Sequence, residues 1–172
     1  DYFSFGGAAI SPNHALTAWS FDDKGSEFYE MRVRDNRAAK NRPDKLANTS
    51  GGACWTKDGK HFFYTLQDDN HRPLKTYRHM LGTVQSEDVL VYEEKDTGMF
   101  TGVGKTSSER FIAIDIHDHD TSEIWVIDAE RPSECVGGHH PIGGHHHHGT
   151  VDRPAEGDSR PVGAPHDDSS RG

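Results

Sequence analysis

The run 58–128 decides how this chain is read: DGKHFFYTLQDDNHRPLKTYRHMLGT (58–83), DVLVYEEKD (88–96) and GVGKTSSERFIAIDIHDHDTSEIWVID (102–128). Phe62, Phe63 and Tyr64 are consecutive aromatics, which favour a strand over a helix because such side chains pack well on a pleated surface. Lys57-Asp58-Gly59-Lys60 before them is a turn of hairpin type. QDDNHRP after them is a second turn, LKTYRHML a second strand, and 89–92 a third, short and apolar. The phrase then repeats, with a turn at 106–109, a strand at 111–114, the polar turn HDHDTSE and a strand at 124–127.

A shorter version precedes it. Ser11-Pro12-Asn13-His14 is a turn, since Pro fixes φ and Asn tolerates unusual backbone angles. ALTAWS (15–20) is a short apolar strand and FDDKGSE a polar turn with Gly25 at its tip. Tyr29, Met31 and Val33 alternate with Glu30, Arg32 and Arg34, the period of a half-buried strand. Residues 1–10 are expected to form the end of one strand, a Gly-Gly turn and the start of another. The polar stretch 35–48, with Pro43, is expected to be a loop holding at most one helical turn. Ser50-Gly51-Gly52 opens the second unit, and 53–56 is its first short strand. Aligning 17–19, 62–64 and 111–113 gives offsets of 45 and 49 residues. Four or so strands at a period of about 40–50 residues suit a β-propeller blade, but an antiparallel sandwich has the same short strands and regular turns. Periodicity leaves both open.

Composition narrows the function classes. The 172 residues are 32% hydrophobic with a net charge of −9, and mean hydropathy is −0.84. That is low for one compact domain, and the deficit lies mainly beyond Arg131. Lys and Arg cluster on no single element, which argues against nucleic acid or an anionic membrane as partner. No apolar run approaches the roughly 18 residues of a spanning helix. The chain opens Asp-Tyr-Phe-Ser, as if cut from something longer. Cys54 and Cys135 lie far apart, consistent with unpaired thiols in a reduced, cytoplasmic setting.

SPNHALTAWSFDDKGSEFYEMRVRD, NTSGGACWTKDGKHFFYT, HRPLKTYRHMLGT, DVLVYEEKD and GVGKTSSERFIAIDIHDHDTSEIWVIDA, spanning about residues 2–132 in order, resemble the prolyl oligopeptidase family of serine peptidases, oligopeptidase B in particular. HRPLKTYRHMLGT followed by LVYEEKD is the most specific part. The resemblance implies an all-β fold, a partial β-propeller of about three blades from a seven-bladed ring. It also implies a parent in which the ring caps an α/β-hydrolase domain, admits only short peptides, and serves cleavage after Lys or Arg. The expected partners are therefore that hydrolase domain and short basic peptides.

No catalytic residue of the family carries over. Its serine sits in G-x-S-x-G on a strand-to-helix elbow. The nearest text here, Thr49-Ser50-Gly51-Gly52, lacks the first glycine, so Ser50 is read as a turn residue. Gly104-Lys105-Thr106 lacks the earlier glycine of a phosphate loop, Met99 standing there instead. His117 and His119 could share a strand face, but they occupy a turn position where polar residues are expected without a ligand. EEKD (93–96) is read as a solvated turn. Catalytic, cofactor and metal sites are each expected to be absent, and this chain by itself is expected to be inactive.

Residues 133–172 differ in kind, with seven of the 13 His, eight of the 18 Gly and scarcely a large apolar side chain. Such a segment cannot offset its ordering entropy by burial, so disorder is expected, with 1–132 the folded domain. The consecutive His at 145–148 would bind metal only adventitiously. The break at about Pro132 is of the kind that a shifted reading frame or a chimeric gene end produces. Two other readings compete: a free-standing propeller-like interaction module, and a protein defined by its metal-binding tail. An open run of blades leaves strand edges exposed at both ends.

Overall fold

In the computed structural model residues 2–133 are described in full, and 135–136 as backbone. The strands are β1 (Ser4–Ile10), β2 (Leu16–Asp22), β3 (Tyr29–Asp35), β4 (Lys40–Trp55), β5 (His61–Gln67), β6 (Pro73–Met80), β7 (Val89–Glu93), β8 (Phe100–Lys105), β9 (Phe111–His117), β10 (Ser122–Asp128) and β11 (Cys135–Val136). Among the described residues a single 3-10 turn, Gln85–Glu87, interrupts them. Pairing is antiparallel throughout, in sheets ordered β1 to β7 and β11-β10-β9-β8.

The larger sheet is two blades joined by β4. Its first part pairs with β3 (Met31↔Leu46, Arg34↔Asn41) and its last with β5 (Ala53↔Tyr64, Trp55↔Phe62). Between them Asn48 and Gly51 take φ of 56° and 99°, left-handed angles that swing the chain from one sheet direction to the next. β4 is thus the outermost strand of blade 1 and the innermost strand of blade 2. Blade 3 is β8 to β11, and the three blades form an open arc.

One hydrogen-bond pattern recurs after each innermost strand. The backbone N–H of Ser11, Thr56 and Thr106 donates to the carbonyl of Leu16, His61 and Phe111 at 2.9, 3.0 and 3.0 Å. Each hydroxyl in turn accepts the N–H of that same later residue, at 3.0, 3.2 and 3.2 Å. A small hydroxyl residue can satisfy both groups only in a tight turn of this length. The repeat offsets are therefore 45 and 50, one more than the apolar alignment suggests for the second. The difference is physical: Phe62 matches Ile112, both fully buried, whereas Phe111 is half-buried on the other face. A slip of one residue exchanges the faces of a strand.

The blades pack face to face. Ala18, Met31, Val33 and Leu46 of blade 1 meet Trp55, Phe62 and Tyr64 of blade 2. On the opposite side of blade 2, Cys54 and Phe63 meet Ile112, Ile114, Ile116 and Ile127 of blade 3. Full burial of each large side chain contributes about 1.5–3 kcal/mol, so these two interfaces are the hydrophobic core.

Three local expectations need correction. Residues 4–10 form one strand, not strand-turn-strand; the glycines accommodate a bulge between Phe5 and Gly7. Stretch 35–48 is mostly strand, because β4 begins at Lys40; Pro43 lies where the register with β3 breaks, so its missing N–H costs no ladder bond. Ser50 lies within β4 and not in a turn. β8 was not apparent in TGVGK, where two glycines dilute the apolar pattern. The tail beyond Ser133, with its expected disorder and its His run, falls outside the described residues apart from the backbone of 135–136.

Candidate functional site

β1, the end of β4 and β8 hold the innermost position of their blades. Each pairs on one edge only, with β2, β5 and β9. These strands are unusually small: Gly6-Gly7-Ala8-Ala9, Gly51-Gly52-Ala53 and Gly102-Val103-Gly104. A Cβ added at Gly52, Gly102 or Gly104 would meet nothing within 4 Å. Packing among the described residues does not require glycine at these three positions. At the strand ends a shallow groove of about 220 Å³ is lined by Ile10, Trp55, Cys54 and Lys105 among others. Trp55 closes its floor, its indole Nε1 donating to the Ala9 carbonyl at 2.8 Å. Burial pushes the Cys54 thiol up to about 11 although Lys105 draws it down, so Cys54 is no thiolate nucleophile near neutral pH.

The main titratable cluster lies elsewhere, at the periphery of the junction between blades 1 and 2. His79 of β6 has no exposed side-chain surface; its Nδ1 is 2.7 Å from Asp88 Oδ1 and its Nε2 3.2 Å from Asp44 Oδ1. Asp44 also accepts the Gly82 N–H at 2.5 Å and faces Arg42 Nε at 3.3 Å. The Tyr64 hydroxyl donates to Asp88 Oδ2 at 2.8 Å. Burial alone would lower the His79 pKa, but the bonds to Asp44 and Asp88 outweigh it and push it up to about 9. Burial would raise Asp44, yet its bonds from His79 and Gly82 hold it at about 2. With carboxylates on both ring nitrogens, the imidazolium keeps both protons as donors. A triad histidine needs one nitrogen free to take a proton from the nucleophile, so this is a clasp between blades and not a catalytic base. Gln85 adds a second clasp, its amide bonding both ways to Ala47 (Ala47 N–H to Oε1 at 2.9 Å, Nε2 to the Ala47 carbonyl at 3.0 Å).

The residues nominated by sequence are scattered. Ser50 is half-buried in β4, and no α-helix follows it among the described residues. Gly104 and Lys105 end β8 and Thr106 opens a β-turn, with no helix N-terminus to face a phosphate. His117 is held by Asp115 at 2.9 Å and stacks on Phe100, while Asp118 caps its own turn through the N–H groups of Asp120 and Thr121. No group of three His, Cys, Asp or Glu is placed to hold a metal among the described residues. Glu93 pairs with Lys75 at 3.1 Å, and Glu94 accepts from the Tyr92 hydroxyl at 2.8 Å. No local pattern marks the Asp44–His79–Asp88–Tyr64 cluster, because its members are far apart in sequence and Asp44 sits in a polar stretch that resembles a loop.

Residues 1–151 match the family described as Prolyl oligopeptidase, N-terminal beta-propeller domain. Dipeptidyl aminopeptidase BI of Pseudoxanthomonas mexicana is 31% identical over 133 residues, covering 77% of this chain and 18% of that protein. Protease 2 of Moraxella lacunata is 30% identical over 134 residues, covering 77% and 19%. Oligopeptidase B from Leishmania major superposes with a TM-score of 0.73 at 25% identity, over 82% of this chain and 20% of that one. Oligopeptidase B from Trypanosoma brucei, with covalently bound antipain, gives 0.70 at 30% identity, over 82% and 19%. The chain spans about a fifth of the length of these relatives. Its three blades and glycine-rich inner strands agree with that placement, and the chain belongs to the N-terminal β-propeller domain of the prolyl oligopeptidase family of serine peptidases.

Proposed function

We propose that residues 1–132 form part of a ring that caps the α/β-hydrolase domain of an oligopeptidase B-like enzyme, gating the entry of short peptides that are cleaved after Lys or Arg. The observation that carries this reading is the small-residue make-up of the three innermost strands, Gly6-Gly7-Ala8-Ala9, Gly51-Gly52-Ala53 and Gly102-Val103-Gly104. Side chains there would narrow a channel; glycine keeps it wide enough for an extended peptide while the blades exclude a folded domain. The role is steric, and bond cleavage falls to residues outside this sequence.

The boundary near Pro132 is supported by the Arg78 guanidinium, which donates to the Pro132 carbonyl at 2.6 Å and ties that residue to blade 2. The family match runs on past this boundary to residue 151, and composition alone sets 133–172 apart as a separate segment. A cytoplasmic setting suits the free Cys54 thiol, and no helix among the described residues is long and apolar enough to cross a membrane.

The test is a graft of residues 2–132 in place of the matching segment of Moraxella Protease 2, followed by Gly52→Trp and Gly104→Trp in the graft. Peptides of increasing length with an internal Arg are compared with a minimal arginyl amide. The expected result is a fall in kcat/KM that deepens with peptide length and spares the small amide. Equal losses for all substrates, or none, would rule out a size filter on this face.

A further inference from the structure

The groove at the ends of the innermost strands carries a charge that the repeat does not ask for. Ile10, Trp55 and Lys105 hold equivalent places, each the residue before a turn hydroxyl, Ser11, Thr56 or Thr106. Blades 1 and 2 fill that place with an apolar side chain, and blade 3 fills it with a lysine. Lys105 alternates with Gly102 and Gly104 and shares a side of β8 with Thr101 and Val103, the side packed against blade 2. Only 25% of its side chain is exposed. Drawing an ammonium this far out of water costs hydration that a partner has to replace. Among the described residues little does so. Glu109 Oε2 faces Lys105 Nζ at 3.8 Å, too long for a hydrogen bond, and the Glu109 side chain is 76% exposed. A pair so screened by water contributes almost nothing.

The setting of this ammonium is complete within the three blades. Ala9 comes from blade 1, Ala53, Cys54 and Trp55 from blade 2, and Gly104 from blade 3, so both junctions that border the groove are formed. Every lining residue belongs to an innermost strand, and such strands surround the central channel of a closed propeller. The groove therefore opens to the channel. Apart from Lys105 its lining is apolar, so it offers one positive charge over an apolar floor. Its volume of about 220 Å³ is below the roughly 300–1,000 Å³ of a site for a whole small molecule, and suits the end of a chain.

We propose that this groove holds the C-terminal residue of a short peptide in the channel. The terminal carboxylate accepts from the Lys105 ammonium, and an apolar side chain lies over the floor that Trp55 closes. The peptide as occupant rests on the reading of these blades as the gate of a peptidase; the pairing of ammonium with carboxylate follows from the groove itself. A charge-assisted bond is strong for its length, and it gains further where water is partly excluded. The gate then discriminates in kind as well as in size, favouring peptides with a free, apolar C-terminal residue.

Nitrogen-15 spectra of the full 172-residue chain test this, with N-acetyl-Ala-Ala-Leu, its C-terminal amide and N-acetyl-Ala-Glu-Leu amide as probes. The acid should shift the Trp55 indole and Lys105 backbone signals in a saturable way. Its amide should bind about tenfold more weakly, the loss of one charge-assisted bond. Lys105→Met keeps the stem without the charge and should bring the acid down to the level of the amide, whereas Lys105→Arg should keep the preference. An unchanged Trp55 indole signal in each free variant reports an intact junction, and the acid–amide comparison on the wild type stands without them. No saturable shift with the acid, equal affinity for acid and amide, or a preference that survives Lys105→Met would each overturn the proposal. Binding of the Glu-containing amide as tight as that of the acid would overturn the terminal assignment in favour of acidic side chains. None of these outcomes alters the length dependence measured on the grafted enzyme, so failure here and failure of the size filter are read separately.

Discussion

Replacing His79 by Gln should remove a pH-dependent part of the stability and leave the rest. The side chain is fully buried between Asp44 and Asp88, 3.2 and 2.7 Å from its two nitrogens. Its pKa rises from 6.5 to about 9 on folding. A tenfold preference is about 1.4 kcal/mol, so the folded state holds the imidazolium by about 3 kcal/mol. Because the folded pKa is the higher one, this stabilisation is complete below pH 6.5 and is lost as pH rises through about 9. Asp44 describes the same bonds from the acid side: its pKa falls from 3.8 to about 2, so its share is present above 3.8 and lost as pH falls through about 2. The two are ends of one interaction and do not add. Urea unfolding followed by tryptophan fluorescence, for wild type and His79→Gln from pH 5.5 to 9.5, measures the difference. The wild-type advantage should be several kcal/mol at the acid end, since the substitution takes the one cationic bridge from two buried carboxylates, and should shrink by about 3 kcal/mol across the range. Nitrogen-15 spectra of the ring should show both nitrogens protonated at pH 8. A pH-independent difference, or a neutral ring at pH 8, would refute the imidazolium clasp.

Other perturbations follow from geometry. Gly6→Ala places a Cβ in conflict with the Tyr29 ring and 2.5 Å from Ser20 Oγ, and should cost about 1–3 kcal/mol in urea unfolding. Ala39 holds φ at 54° in the β3–β4 turn, so Ala39→Gly should raise stability by about 0.5–1 kcal/mol, seen as a higher urea midpoint. Gln85→Leu strands the Ala47 amide and carbonyl at the periphery of blade 1 and should speed hydrogen exchange at Ala47 severalfold without moving that of Phe62. In a Cys135→Ser background, Cys54 should react with a thiol reagent at pH 8 only at the rate of unfolding, because the thiol is buried and holds its proton to about 11.

Much of this was legible without coordinates. Consecutive aromatics at 62–64, alternation at 29–34 and turns rich in Asp, Asn and Gly each depend on contacts only a few residues apart, so the strands and their antiparallel order are written locally. The family likeness of HRPLKTYRHMLGT to oligopeptidase B propellers was equally local, and the family match bears it out. What tertiary structure decided was everything that depends on faces. Whether Phe62 or Phe63 looks toward blade 1 turns on a register of one residue, fixed by the hydroxyl turns at Ser11, Thr56 and Thr106 and not by hydrophobicity. That β4 serves two blades depends on left-handed angles at Asn48 and Gly51 inside a run too polar to resemble a strand. The His79 clasp brings residues 35 positions apart to within bonding distance, and local pattern carries no trace of such a contact. Strands follow from near-neighbour chemistry, but junctions between blades arise only when the sheets meet.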